Sequence, residues 1–438
     1  MSTAVPAHPP PQPADPSSSP AEPPATGFRR IAAALTYRDF RVLWFGAFTS
    51  TIGTWMQSVT QNWLVLTITG TSSAFFLGLD SFLGQLPILL FTLVGGVVAD
   101  RYDRRRLLLS SQYVQMTSAF MLAALVYADV VHIWHVLALS VLTGLAQAFG
   151  GPAYQSLIPT LVGKDHLPNA VALNSIQFNL ARVLGPLLFA ATLSVFMTWG
   201  YDEPQAMNAC FLLNSLSFVV VINTLMALHV KHIPPAHAGG MRDELKNGLS
   251  YVWHHGTLVG LTVLAAATTF LGFAVLTFLP LFAQQVFQQG ASTYSHLMAF
   301  SGAGSIAGAL TVAWLGKFKR MGLTALLMQI VYGALIIAFA MSRSLPLSEA
   351  LLFLTGFALM IVFSTVTSLV QLIAPNEMRG RVMSIYMLAF RGGMPIGSLV
   401  SGWLATVTSA PTVLIVNGVL LSLVAAWFLL NNRGVREL

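Results

Sequence analysis

Apolar residues dominate the chain from Phe40 onward, and they fall into long runs that short polar or charged segments separate. A helix needs about 20 residues to cross the ~30 Å hydrocarbon core of a bilayer. Each run is near this length, and a helix satisfies the backbone hydrogen bonds of such a run within itself, which lipid cannot do. The pattern therefore predicts twelve membrane-spanning helices. They are expected near residues 40–67, 73–99, 107–127, 133–158, 169–198, 207–228, 258–285, 294–315, 322–341, 349–373, 380–407 and 411–431.

The composition favours a membrane protein over a water-soluble one. Hydrophobic residues make up 55% of the 438 residues, whereas charged residues make up only 8%. Soluble domains carry about 25% charged residues, so a soluble fold of this size could not cover its surface. Cys210 is the only cysteine, which excludes an intrachain disulfide. The predicted fold class is therefore an all-α membrane protein.

Lysines and arginines are distributed unevenly between the two sides of the predicted spans. Nineteen of the 22 lie in the tails or in the loops of one side, and Arg343 alone lies in a loop of the other side. By the positive-inside rule, the side with the excess of lysine and arginine is expected to be cytoplasmic, and both termini are expected there. The net charge of +7 is explained by this topology, so no basic surface remains to indicate a nucleic-acid partner.

The chain divides into two similar parts and two tails. Residues 1–27 hold nine of the 22 prolines without a long apolar run, and we expect a disordered tail rather than a signal peptide. The longest polar connection between spans, residues 229–257, is predicted to be a cytoplasmic loop with six spans on each side. The two six-helix bundles are expected at residues 28–228 and 258–431, followed by a cytoplasmic tail at 432–438.

Neither a metal site nor a cofactor is predicted. His132 and His135 have no cysteine or clustered carboxylate beside them, so we interpret them as solvated loop residues. The chain has no nucleotide-binding loop, and Gly302 and Gly304 within a predicted span are expected to serve helix packing.

The segment 243–254 could form a short amphipathic helix on the membrane surface.

An internal repeat links the two parts of the chain. Within residues 175–186 and 384–395, four pairs are identical at a constant offset of 209. The two segments fall in the fifth span of each part, which is the arrangement expected of a secondary transporter with repeated halves. The identical pairs are Ser175 and Ser384, Ile176 and Ile385, Arg182 and Arg391, and Pro186 and Pro395.

The loop between the second and third predicted spans carries a recognisable motif. Residues 95–108 read GGVVADRYDRRRLL and resemble the signature loop of the major facilitator superfamily, G-x-x-x-D-R-x-x-R-R. Residues 157–175 and 375–405 resemble the branch of exporters related to the enterobactin exporter, also called transmembrane secretion effectors. This resemblance covers essentially residues 36–431 and implies two pseudo-symmetric six-helix bundles in a bacterial inner membrane.

The same resemblance implies a conformational latch at the cytoplasmic side. Glycines allow close helix approach, and a carboxylate there would face the amide-rich start of span eleven. The alternative interpretation is that the charges of this loop only set the membrane topology by the positive-inside rule. It applies above all to Arg105 and Arg106. The expected latch residues are Gly95, Gly96, Asp100, Arg101, Arg104 and Arg105.

Three charged residues lie inside predicted spans, where charges are costly. Arg182 and Arg391 lie ~21 Å and ~18 Å from the cytoplasmic ends of their spans at 1.5 Å per residue, near the midplane. Asp80 lies nearer the outer side. One hypothesis is a substrate-binding or proton-coupling network in which Asp80 approaches Arg391 in at least one state. The alternative is structural, with arginines bonded to carbonyls and an acid reaching outer water.

Other polar residues within spans are candidates for the lining of a substrate cavity. Aromatic and amide groups suit a large amphipathic ligand, because apolar walls bind it and a few polar groups orient it. The alternative for any one of them is a hydrogen bond between helices, which is common for such residues in membranes. The candidates are Gln57, Gln61, Gln147, Tyr154, Asn174 and Gln371.

The sequence favours a transporter that uses a gradient. Gly185 and Pro186 resemble the Gly-Pro motif of superfamily antiporters, although Val141 stands where drug/proton antiporters carry an arginine. The predicted function is export of a small amphipathic compound, a siderophore or a drug-like molecule, by a non-enzymatic, proton-coupled transporter that acts as a monomer. The alternatives are an importer of a small solute and a non-transporting membrane sensor or assembly protein.

Overall fold

The computed structural model describes residues 32–228, 249–316 and 318–438, apart from the side chains of Ala32 and Asp100. These residues form long helices and contain no β-strand. The long helices are α1 (Arg38–Thr69), α2 (Ser73–Arg101), α3 (Arg104–Tyr127), α4 (Ile133–Leu161), α5 (Leu167–Thr198), α6 (Glu203–Met226), α7 (two segments, Gly256–Gly272 and Ala274–Leu281), α8 (Ala291–Leu315), α9 (Met321–Met341), α10 (Leu345–Ile373), α11 (Arg379–Val407) and α12 (Ala410–Asn431).

The described helices agree with the twelve predicted runs in number and order. By length and composition, nine stretches could cross a membrane, and the first of them, Arg38–Ala99, includes both α1 and α2. Helices α3 and α11 are not among the nine, because charged residues at their starts and polar residues along them lower the mean hydropathy. That all twelve helices cross the membrane therefore stays a prediction.

Two sequence predictions lie largely outside the described residues. These are the tail at 1–27 and residues 229–248 of the central loop. The described part of the predicted amphipathic segment, residues 249–254, is helical.

Helix α7 is interrupted, although the sequence predicts one continuous span over 258–285. Its first segment ends at Gly272, and the second starts after Phe273. Pro280 has no amide hydrogen to donate within the second segment, and the helix then widens into a π-helical turn at Phe282–Val286. The apolar pattern continues through the break, so periodicity alone could not indicate it.

Packing divides the helices into two halves, α1–α6 and α7–α12. In the first half α1 packs on α5 and α6, α2 on α4, and α3 on α4 and α6. In the second half α7 packs on α11 and α12, α8 on α10, and α9 on α10 and α12. Two large contacts join the halves, α2 with α11 and α5 with α8. The repeat relates α2 to α8 and α5 to α11, so these two contacts are equivalent.

The apolar core is joined across the halves at one end of the bundle only. We call the end at which α1 begins and α12 ends the terminal face, and the other end the opposite face. Near the opposite face, one buried cluster includes residues of both halves, such as Trp63 and Tyr294. Towards the terminal face, the described residues form two separate clusters, one around Phe40 in the first half and one around Leu261 in the second. The halves therefore pack together at the opposite face and separate towards the terminal face.

Small residues allow the close contact between α2 of the first half and α11 of the second half. A methyl group added at Gly78 would overlap the backbone carbonyl of Ser398 and lie 3.1 Å from the Cα of Gly402. In a membrane, where lipid is as apolar as the side chains, close backbone approach is a main source of helix association. The two glycines thus allow the close contact between halves near the opposite face.

Candidate functional site

Asp80 is the centre of a buried polar cluster that joins three helices of the first half. Its carboxylate accepts hydrogen bonds from Gln61 Nε2 of α1, at 2.9 and 3.1 Å, and from Ser140 Oγ of α4, at 2.5 Å. Gln61 Nε2 also lies 2.8 Å from Ser140 Oγ. Only 6% of Asp80 is exposed, so the carboxylate does not reach open water in this state. The structure thus brings together two predicted site residues and adds Ser140.

Arg391 is exposed near the middle of α11. On a helical projection it lies about 140° from Ile396 and 180° from Val400, two exposed apolar residues that suit a lipid-facing surface. An arginine at this depth is stable only if it faces a water-filled space or a polar partner. Arg391 therefore lies on the side of α11 away from Ile396 and Val400. Among the described residues no ion pair joins it to Asp80, so the hypothesised contact is not formed in this state and stays a prediction for another one.

Arg182 lies at the α1–α5 contact. It is only 9% exposed, and its guanidinium lies 5.8 Å from the ring centroid of Trp55 in α1. Gly185 makes this close approach possible, because a methyl group there would lie 2.5 Å from Trp55 Cβ. Pro186 is buried in the same segment of α5. Among the described residues, Arg182 Nη2 has no hydrogen-bond partner.

Most of the other predicted lining residues bond to neighbouring helices. This is the alternative that the sequence left open for them. Gln371 differs, because its side chain is exposed near the terminal end of α10. The pairs are Gln57 with Asn214 at 2.5 Å, Gln147 with Gln115 at 3.4 Å, and Tyr154 with Asn174 at 3.1 Å.

The two glycines of the predicted latch have different surroundings. A methyl group at Gly95 would overlap the carbonyl oxygen of Ala148 in α4, whereas one at Gly96 would meet nothing within 4 Å. Gly95 is buried and Gly96 is half-buried. Gly95 thus serves packing within the first half, whereas Gly96 borders open space.

The arginines that follow bond to backbone carbonyls of the first half. Arg104 donates to the carbonyl of Ser156 at 3.0 Å, and Arg105 donates to that of Met226 at 2.5 Å. Arg101 is exposed in the last turn of α2. Asp100 is in the same turn, but its side chain is outside the described part of the structure. The expected role of the loop as a latch between halves therefore stays a prediction.

Replacing Gly95 and Gly96 in turn by alanine is expected to separate the two roles. Gly95→Ala should lower the melting temperature of the purified protein, because overpacking against the Ala148 backbone costs about 1–3 kcal/mol. Gly96→Ala should leave it within error. Thermal unfolding in detergent, followed by tryptophan fluorescence, measures both. Equal melting temperatures for the two variants would contradict the assignment.

A second contact closes the opposite face. Asn62 Nδ2 donates to the hydroxyl of Tyr294 in α8 at 3.1 Å, and the Trp63 and Tyr294 rings stack with centroids 6.2 Å apart. The Trp63 indole N–H donates to the Glu203 carboxylate at the start of α6. Sequence reasoning did not find Tyr294 or Glu203, because each lies near a helix end without a motif. Together these residues form a cross-half closure near the opposite face.

Comparison with known proteins identifies the family. A family model described as transmembrane secretion effector matches residues 31–437. The chain belongs to this family. It is therefore a major facilitator superfamily transporter, a multi-pass membrane protein and not an enzyme, as the loop motif predicts.

Several curated proteins are similar over most of their length. The staphyloferrin A transporter of Staphylococcus aureus is 25% identical over 88% of this chain and 94% of its own. The multidrug efflux pump Tap of Mycolicibacterium fortuitum is 26% identical, with 82% and 88% covered. The enterobactin exporter of Shigella boydii is 24% identical, with 89% and 92% covered.

Solved structures have the same fold. A bacterial homologue of the human lysosomal transporter Spinster, in an inward-facing and unoccupied conformation, superimposes with a TM-score of 0.70 at 13% identity and covers 92% of this chain and 97% of its own. The nucleoside transporter NupG gives a TM-score of 0.67 at 16% identity, with 90% and 98% covered. The predicted major facilitator fold is confirmed by these matches.

Proposed function

We propose that this transporter exports a small amphipathic compound across the bacterial inner membrane by alternating access, and that a proton gradient drives it. The similarity to an enterobactin exporter and to a multidrug efflux pump supports export and a siderophore or drug-like substrate. A single polypeptide has both halves of the expected cavity, so we propose that a monomer is sufficient.

The observation that carries alternating access is the division of the apolar core. The halves share one cluster near the opposite face and have separate clusters towards the terminal face. The excess of lysine and arginine assigns the terminal face to the cytoplasm. On this assignment the state is open to the cytoplasm and closed to the outside by Asn62, Trp63 and Tyr294. Transport requires a second state in which the separated ends meet.

The proton site that we propose is Asp80. A buried carboxylate within a membrane span is costly and is a candidate for function. Its two donors, Gln61 and Ser140, come from helices of the same half, so a change in its protonation would alter contacts that position α1, α2 and α4. Efflux tests this function. Cells that express the chain should release a preloaded substrate faster than cells with an empty vector, and a protonophore should remove the difference.

We expect Asp100→Asn to leave insertion intact but to slow turnover and favour the state open to the cytoplasm. The physical reason is that the positive N-terminal end of α11 would attract a carboxylate more strongly than an amide when the cytoplasmic ends meet. A cysteine placed at Gly96 should react faster with a thiol reagent from the cytoplasmic side in the Asp100→Asn background. Unchanged transport and unchanged labelling would contradict the latch.

A further inference from the structure

A cavity of about 370 Å³ lies at the terminal face of the second half. It is bounded by the end of α8, the start of α9, the end of α10 and the start of α11. Each of these helix ends lies within one residue of the end of a predicted span, so the cavity is at the depth of the lipid headgroups. Its lining residues are Gly316, Met321, Ser368, Gln371, Leu372 and Arg379.

The corresponding place in the first half is filled by an arginine. Arg104, the first residue of α3, donates to the carbonyl of Ser156 at 3.0 Å. Helices α4 and α10 both have 29 residues, and Ser156 and Ser368 each lie five residues before the last one. Met321, the first residue of α9, corresponds to Arg104. The second half thus has no arginine at this position, and the cavity lies between Met321 and Ser368.

Arg379 brings positive charge to the cavity from another helix. Its Nε donates to the carbonyl of Gln371 at 3.2 Å, which holds the guanidinium at the end of α10. Lys319 and Arg320 are exposed in the α8–α9 loop, whose two ends line the cavity. Glu377, two residues before Arg379, is exposed. Among the described residues no ion pair involves any of these four charged side chains, so the positive charge at the cavity is not compensated there.

A phosphate group matches the donors of this cavity. Guanidinium N–H groups bind phosphate oxygens through charge-assisted hydrogen bonds, and the Ser368 hydroxyl can donate to a further oxygen. Leu372 is 54% exposed, and Trp314, two residues before Gly316, is 85% exposed. Tryptophan is enriched where lipid meets water, and basic pockets between spans on the cytoplasmic side bind anionic headgroups. The surroundings therefore favour the headgroup of a lipid.

We propose that this cavity binds the phosphate of an anionic phospholipid from the leaflet at the terminal face. Arg379 and Ser368 bind the phosphate oxygens. The charges of Lys319 and Arg320 favour an anionic lipid over a zwitterionic one, and the acyl chains extend along Leu372 into the bilayer. The site does not depend on the direction of transport or on its energy source.

Native mass spectrometry of the full-length protein, delipidated in detergent, tests the site because it resolves the first bound lipid molecule. The probes are dioleoyl phosphatidylglycerol, which is anionic, and dioleoyl phosphatidylcholine, which is zwitterionic. The wild type should bind the first phosphatidylglycerol about fivefold or more tightly than phosphatidylcholine. Arg379→Gln should weaken phosphatidylglycerol binding about fivefold, which is the contribution of one basic residue near an anionic headgroup. Its effect on phosphatidylcholine binding should be smaller.

Two further variants separate the cavity from the general charge of the face. Arg433→Gln removes an exposed arginine of the same face outside the cavity and should bind both lipids like the wild type. Ser368→Phe fills the cavity without a change in charge and should weaken phosphatidylglycerol binding at least as much as Arg379→Gln. Because Arg379 is exposed, its variant keeps the test valid if Ser368→Phe does not fold.

Four results would overturn the proposal. The first is equal affinity of the wild type for the two lipids, and the second is an equal effect of Arg379→Gln and Arg433→Gln. The third is unchanged phosphatidylglycerol binding by folded Ser368→Phe. The fourth comes from inorganic phosphate, which is titrated in the same way and should bind more weakly than phosphatidylglycerol. Equal or tighter binding of inorganic phosphate would indicate a site for a free anion rather than for a lipid.

Discussion

Gly78→Leu is expected to abolish transport while leaving the protein folded. The new side chain would collide with the Ser398 backbone of α11, at a contact between the halves rather than inside one of them. Overpacking of this kind costs about 1–3 kcal/mol, which disfavours the state closed at the opposite face by about fivefold to 150-fold. The transporter would then remain open to the outside. Turnover in reconstituted vesicles measures the effect.

Two further variants calibrate this result. Gly78→Ala adds the smallest side chain at the same place and should give an intermediate rate. Gly84→Ala lies on the same helix, but its new methyl group would meet Ser140 Cβ at 3.8 Å, an ordinary contact, so its transport rate should equal that of the wild type. Normal transport by Gly78→Leu would show that the α2–α11 contact does not close the opposite face.

Asp80→Asn is expected to remove accumulation driven by a pH gradient and to preserve exchange of substrate across vesicles without a gradient. Asparagine has nearly the shape of aspartate but cannot take up a proton. Its amide would also present hydrogens to the donors Gln61 and Ser140, which weakens the cluster. Asp129→Asn, at an exposed loop residue, carries the same chemical change and should behave like the wild type.

A charge cycle tests whether Asp80 acts together with Arg391. Asp80→Asn, Arg391→Gln and the double variant are compared in the same gradient-driven assay. If the two groups meet in another state, the double variant should lose less activity than the single effects predict together. Additive effects would end the hypothesis of a contact. Asp80 would then act only through the cluster with Gln61 and Ser140.

The helices could be predicted from the sequence because lipid forces each apolar run to satisfy its own backbone. The run expected at 107–127 is α3, Arg104–Tyr127, and the run at 133–158 is α4, Ile133–Leu161. The break in α7 at Phe273 could not be predicted. It lies between residues that are apolar on both sides, and Tyr332 of another helix packs against it.

The candidate site was less predictable, because a polar residue in a span has two possible partners. A side chain that bonds a neighbouring helix and one that faces a cavity look alike in the sequence. Gln57 and Tyr154 are of the first kind in this structure. The hydrogen bond between Gln61 and Asp80 depends on how three helices pack. The Tyr332 hydroxyl, which has no hydrogen-bond partner among the described residues, lies in a helix without any motif. The only sequence feature that could have pointed to Tyr332 is its spacing of three residues from Gln329, which places both on one face of α9.

The direction of transport and its energy source are tested most directly in inverted membrane vesicles that contain the wild-type chain. In these vesicles the cytoplasmic face is outside, so an exporter loads the interior. Uptake of a panel of labelled amphipathic compounds is measured with an acidic interior, and again after a protonophore has dissipated the gradient. The account predicts accumulation of at least one compound in the acidic vesicles and its loss with the protonophore. Accumulation only in right-side-out vesicles would contradict it, and so would uptake that is the same before and after the gradient is dissipated.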